Sequence, residues 1–239
     1  FGVGNANSKR LARLNDDGSL DPAFTTALGT AADGGVDALA LQADGKILLG
    51  GRFQNFNGVA RNRITRVNAD GSADATFNPG TGPDQPVVSI QLQADGKSIV
   101  TGTFTTFNGT ARSGIVRLNT DGSVDTTFNP GTGASGLVNG AIIQTDGKII
   151  VYGGFNFFNG QARAKIIRLN ADGSIDTAYA AATAINSDIR DAELLPTGKL
   201  LIVGVFSDIN GVSRSSVARL DVNGAHDTTF NPGTGAGLL

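Results

Sequence analysis

Short apolar runs separated by glycine-bearing turns fill this chain, and their lengths and spacing predict strands throughout. Residues 36–86 are the clearest copy. Val36-Asp37-Ala38-Leu39-Ala40-Leu41 reads as a strand, and Asp44-Gly45-Lys46 as the turn of a hairpin. Ile47-Leu48-Leu49-Gly50-Gly51 is the return strand, whose glycine pair predicts a bulge or the close approach of another backbone. A loop over Phe53–Arg61 holds Phe56-Asn57-Gly58, which supplies the positive φ of a tight turn. Arg63–Asn68 is a third strand, Ala69-Asp70-Gly71-Ser72 a second turn, and Ala73–Phe77 a fourth strand. Asn78-Pro79-Gly80-Thr81-Gly82 then interrupts the sheet, because proline cannot donate to a ladder. No stretch has helical periodicity of useful length.

This unit repeats in phase. Asp-Gly-Lys recurs at Asp44, Asp95 and Asp146, 51 residues apart, with a worn copy at Thr197-Gly198-Lys199. Asp-Gly-Ser recurs at Asp17, Asp70, Asp121 and Asp172, with a worn copy at Asn223-Gly224-Ala225. A four-stranded antiparallel sheet of this size cannot bury both faces alone, and radial stacking of several such sheets does so. The expectation is one all-β propeller domain over 1–239, of four-stranded blades with a 51-residue repeat. Its units run over 1–35 (partial), 36–86, 87–137, 138–188 and 189–239. About five blades are visible. The N-terminus brings only a third and fourth strand, from about Lys9 to Phe24, and residues 238–239 fall where a further first strand would begin, so one blade is incomplete.

Composition narrows the chemistry. The 239 residues include 34 Gly without a Gly-X-Y period, which fits many tight turns and not collagen. Net charge is −2 with no basic stripe, so nucleic acid is not an expected partner. No apolar run approaches the ~20 residues of a membrane span. Cys is absent, which removes disulfides, thiolate catalysis and Cys-bound zinc; Met is absent too, so the chain reads as a processed product or a piece of a longer one.

The order of phrases resembles the bacterial delta-60 repeat family, also described as a β-propeller domain of unknown function. The residues that carry the likeness are Leu92–Lys97, Phe107-Asn108-Gly109-Thr110-Ala111-Arg112, and Arg117 to Phe128 with its Asp121-Gly122-Ser123 and Asp125. The resemblance covers essentially the whole chain. It implies a propeller, export to the bacterial cell surface or beyond, and no known reaction.

Three repeated sets are candidate sites. Arg66, Arg117, Arg168 and Arg219, like Arg13, each precede an aspartate by eight residues: Asp74, Asp125, Asp176, Asp227 and Asp21. A ring of ligand-binding arginines is one reading. A structural ion pair inside each blade is the favoured one, because every arginine brings its own carboxylate. The Phe-Asn-Gly loops with their arginines, Asn57/Arg61, Asn108/Arg112, Asn159/Arg163 and Asn210/Arg214, are the best binding candidates, since loops on one side of a rigid scaffold carry binding; a satisfied turn is the alternative. The phrase Asn68, Asp70, Ser72, Asp74 has the alternate oxygens of a calcium loop but lacks its terminal bidentate Glu, so an Asx turn is favoured. His226, the single His, reads as surface drift. No metal site, cofactor or catalytic residue is expected.

The function expected is a non-catalytic, extracellular or cell-surface module for protein interaction or scaffolding, part of a larger protein or assembly. Its partner is a protein, or the rest of the same polypeptide, at the incomplete blade. A structural subunit of a surface layer or fibre is one alternative. A glycan-binding or polysaccharide-active module is another, weakened by the absence of Trp and by only two Tyr.

Overall fold

A computed structural model describes residues 10–163, 165–179, 184–233 and 235–236. The chain forms two compact units. One comprises the residues up to Val100 with Phe104–Thr110 and Arg117–Asp125; the other comprises Thr101–Thr103, Ala111–Val116 and the residues from Thr126 onward.

The hydrophobic pattern becomes a recurring three-strand sheet. Val36–Leu41, Ile47–Gly51 and Ile64–Val67 lie in that order, with the middle strand central. The pairs Leu39↔Leu49 and Leu41↔Ile47 set the register of the first hairpin, and Leu48↔Arg66 and Gly50↔Ile64 that of the second. The same order recurs for Val87–Leu92, Ser98–Gly102, Ile115–Leu118; for Val138–Ile143, Ile149–Gly153, Ile166–Leu169; and for Ile189–Leu194, Leu200–Gly204, Val217–Leu220.

Turn chemistry fixes these registers. Gly45 has φ +80°, while Asp44 Oδ1 accepts from the Lys46 amide at 3.1 Å. In the loop, Asn55–Phe56 pairs with Val59–Ala60 as a small hairpin, with Asn57 at φ 51° and Gly58 at φ 71°. Two consecutive left-handed residues make the turn type that suits the strand twist. Gly51 meets both halves of its expectation. The opposite strand bulges between Val36 and Ala38, and an added Cβ would collide with the Gly35 carbonyl.

The fourth strand is reduced to one bridge per blade: Val67 with Ala73, Leu118 with Val124, Leu169 with Ile175, and Leu220 with His226. The aspartate that follows ends the pairing. Asp74 Oδ1 accepts from the Thr76 amide at 2.9 Å and the Phe77 amide bonds back to the Asp74 carbonyl at 3.3 Å, so the chain turns instead of extending. Near the N-terminus the difference is larger. The expected fourth strand up to Phe24 is replaced, after a single Leu14–Leu20 bridge, by a helix over Pro22–Ala27. Asp21 caps it by accepting from the Phe24 amide at 3.0 Å, and Pro22 sits in the first turn, where its missing N–H costs nothing.

Phenylalanines fill the cores. In the first unit Phe24, Leu28, Leu49, Phe53, Phe56 and Val67 form one buried cluster. In the second, Ile150, Tyr152 and Ile166 of one sheet share a buried cluster with Ala192, Ile202 and Ala218 of the next. Each buried Phe or Ile contributes about 1.5–3 kcal/mol relative to exposure. Among the described residues no helix is long and apolar enough to cross a membrane.

Candidate functional site

The arginines and aspartates come together within each blade. Arg66 Nε donates to Asp74 Oδ2 at 2.7 Å, and the same 2.7 Å joins Arg117 to Asp125, Arg168 to Asp176 and Arg219 to Asp227. Arg13 reaches Asp21 at 2.8 Å on a more open surface. The register explains the meeting: Arg66 is the penultimate residue of the third strand and Asp74 follows the turn across from it, with the Asp74 amide on the Arg66 carbonyl at 2.9 Å.

A third member was not legible as such in the sequence. The lysine of each Asp-Gly-Lys turn donates to the same carboxylate: Lys46 to Asp74 at 3.0 Å, and Lys97, Lys148 and Lys199 to Asp125, Asp176 and Asp227 at 2.8 Å. Its signal was a constant separation of 28 residues between lysine and aspartate, which the two turn phrases concealed. The other carboxylate oxygen of Asp74 takes the Thr76 amide and hydroxyl, at 2.9 and 2.7 Å. Arg66 continues to the Thr120 carbonyl at 2.6 Å and lies 5.0 Å from the Phe77 ring centroid.

These contacts set the charge states. Burial pushes the Asp74 carboxyl up, but the bonds from Thr76, Lys46 and Arg66 outweigh it and hold the group well below the usual carboxylate range. For Asp176 burial is likewise opposed, by Lys148, Arg168 and the Ala178 amide, and the result is about 2.

The Phe-Asn-Gly residues lie elsewhere, and their amides turn inward onto linkers. Asn57 Oδ1 accepts from the Ala31 amide at 2.8 Å, and Asn108 Oδ1 from the Gly82 amide at 2.9 Å and the Thr81 hydroxyl at 3.1 Å. Asn159 Oδ1 accepts from the Thr132 amide at 3.2 Å, and Asn210 Oδ1 from the Ala184 amide at 3.0 Å. Arg61, Arg112, Arg163 and Arg214 each fold back onto the carbonyl of the preceding residue, at 2.8–3.0 Å. The calcium-like phrase forms an Asx turn: Asp70 Oδ1 accepts from the Ser72 amide and hydroxyl at 2.8 and 2.6 Å. Among the described residues no group of three His, Asp or Glu side chains is placed to hold an ion. His226 is partly buried, and burial together with nearby Arg214 lowers its pKa.

A hollow of the first unit lies on the Asp-Gly side. A cavity of 680 Å³ is lined by Gln42, Asp44, Arg66 and Thr76 together with Gln93, Thr120 and Asp121. Gln93 Oε1 is buried there without a hydrogen-bond partner. A smaller hollow of 290 Å³ in the second unit lies beside Asn129, Asn159 and Ser174.

The repeat matches a family model described as "Domain of unknown function (DUF5122) beta-propeller", over residues 1–24, 42–77, 93–128, 144–179 and 195–230. No curated protein matches the sequence. Among solved structures, a gluconolactonase from Xanthomonas campestris is similar in fold, with a TM-score of 0.52 at 17% identity over 92% of this chain and 69% of that one. A Bacteroides caccae protein of unknown function gives 0.46 at 13% identity, over 90% of this chain and 72% of that one. The extracellular domain of what is described as a one component system from B. thetaiotaomicron gives 0.49 at 12% identity, over 79% of this chain but only 22% of that one.

Proposed function

This chain belongs to the DUF5122 beta-propeller family, and we propose that it is a non-catalytic interaction and scaffold module of a bacterial surface or secreted protein. The observation that carries the reading is how its side chains are spent. The repeated polar residues serve the blade itself: arginine and lysine on the aspartate, asparagine on the linker. Large apolar side chains, by contrast, stand in solvent on the first strand, at Leu39 and Leu41. Apolar side chains clustered on an exposed sheet face mark protein contact. Export is the expectation that comes with the family, and a chain without Cys is compatible with it.

Two measurements test this. Intact cells of the source bacterium, treated with a protease that does not enter them, should lose the protein from immunoblots; full survival of the protein would overturn the surface assignment. The purified chain, offered an aldonolactone of the kind named for the Xanthomonas relative, should hydrolyse it no faster than buffer. Saturable turnover abolished by substitutions around the 680 Å³ cavity would overturn the non-catalytic reading.

A further inference from the structure

Six asparagines of this chain stand directly before a glycine: Asn57, Asn108, Asn139, Asn159, Asn210 and Asn223. At such a step a side-chain amide reacts readily with its own backbone, because glycine has no Cβ to crowd its nitrogen. Closure asks three things of the fold: a glycine N–H that is not already bound, room for a five-membered ring, and donors on the amide oxygen, where negative charge develops as the nitrogen adds.

Three of the six sites are committed elsewhere. Gly140 lies inside the strand Val138–Ile143 with Tyr152 filling the space beside it, and Asn139 Nδ2 is tied to the Ile189 carbonyl at 2.7 Å. The Gly224 amide donates to the Asp221 carbonyl at 2.8 Å, and an added Cβ there would meet the Tyr179 ring. The Gly211 amide donates to Asp208 Oδ1 at 2.7 Å; in the other loops Asn55, Thr106 or Phe157 stands in place of that aspartate.

Asn57, Asn108 and Asn159 meet all three needs. Among the described residues no acceptor faces the amide of Gly58, Gly109 or Gly160, and nothing lies within 4 Å of where a Cβ would stand on these glycines. Asn108 is the best provided, with the Gly82 amide at 2.9 Å and the Thr81 hydroxyl at 3.1 Å on Oδ1. The hydroxyls that join the linker amide on Asn57 and Asn159, from Thr30 and Thr132, are both farther off at 3.4 Å.

We propose that Asn108, followed by Asn57 and Asn159, is a site of self-modification at which the chain converts asparagine to aspartate and isoaspartate. The Gly109 nitrogen adds to Asn108 Cγ and gives its proton to water. Oδ1 takes up the carbonyl electron pair, and the Gly82 and Thr81 donors hold the charge. The pair returns, the Cγ–Nδ2 bond breaks, and Nδ2 leaves as ammonia with a proton from water. Water then opens the cyclic imide at either carbonyl, so the net change is one water taken up and one ammonia released. The same donors hold Oδ1 before and during addition, so the clamp that orders the loop also lowers the barrier. Isoaspartate lengthens the backbone by one carbon and carries the acceptor away from Gly82, which releases the linker. None of this depends on the interaction-module reading.

Peptide mapping by mass spectrometry, with fragmentation that tells isoaspartate from aspartate, follows the folded chain in mildly alkaline buffer. Asn108 should convert first and Asn57 and Asn159 next, with Asn139, Asn210 and Asn223 slower than Asn108 by about tenfold or more. Thr81→Val removes one donor and should slow Asn108 several-fold while leaving Asn159 unchanged. Asp208→Ala frees the Gly211 amide and should bring Asn210 up to the rate of Asn159. Asp208→Asn keeps an acceptor and should not, which separates a freed nitrogen from a loosened loop. Circular dichroism should match wild type for all three variants, and the order of rates should vanish in urea. Equal rates at all six sites of the folded chain, an Asn108 no faster than Asn210, conversion of Asn108 only when unfolded, or a Thr81→Val rate equal to wild type would each overturn the proposal.

Discussion

Asp74 gathers three parts of its blade: a lysine from the first hairpin, an arginine from the third strand and a threonine two residues on. Its partners differ in worth. Arg66 is buried with it, so removing the carboxylate strands a buried cation, and Asp74→Asn should cost about 3–5 kcal/mol in urea unfolding. Lys46 is nearer solvent, and Lys46→Met should cost only about 0–1 kcal/mol. Equal losses for the two would show that the pair does not sit in the protein as described. The pH response has a defined sign. The Asp176 carboxyl titrates at about 2 in the fold and at about 3.9 in an unfolded chain. The ionised form is favoured by folding, so its contribution is complete above about pH 4 and is lost as pH falls towards 2. Urea midpoints measured at pH 6, 4, 3 and 2 should hold between the first two and fall through the last; a midpoint that rises below pH 4 would contradict this.

At the scale of elements, the Asn-Gly loop is a clamp. Asn108 supplies both a left-handed backbone and an acceptor for the linker at Gly82. Asn108→Gly keeps the backbone and removes the acceptor, so stability should fall by about 1 kcal/mol; an unchanged urea midpoint would return the loop to the list of free binding residues. Much of this level was legible. Asp-Gly and Asn-Gly placed the hairpins because only a few residues tolerate positive φ, and the eight-residue offset of Arg66 and Asp74 follows from strand alternation across a turn. The fourth strand was legible from the composition of Ala73–Phe77, and its shortness was not, because the Asp74 side chain captures the Thr76 amide and bends the chain after the Val67–Ala73 bridge. The helix at Pro22–Ala27 was missed because it is too short for a periodic signal, although Asp21-Pro22 is a cap followed by a first-turn proline. The lysine's role was hidden because turn phrases are read locally and its partner lies 28 residues away. The inward turn of Asn57 and its copies depends on where the preceding linker runs, which no local pattern encodes.

At the scale of the molecule, repetition separates the residues that hold a blade from those that stand at its open faces. Leu39 and Ile90 occupy the same place in the repeat and differ only in what lies against them. Sequence cannot distinguish two such positions, because both are apolar strand residues; burial does. The account's central claim is that the repeated polar phrases are internal to the fold. Hydrogen exchange read by mass spectrometry tests it most directly. Amide protection in the linker peptide around Gly82 should fall in Asn108→Gly relative to wild type, because the Gly82 amide loses its acceptor, and stay constant in the strands Val36–Leu41 and Leu200–Gly204. Protection at Gly82 unchanged by the substitution would contradict it.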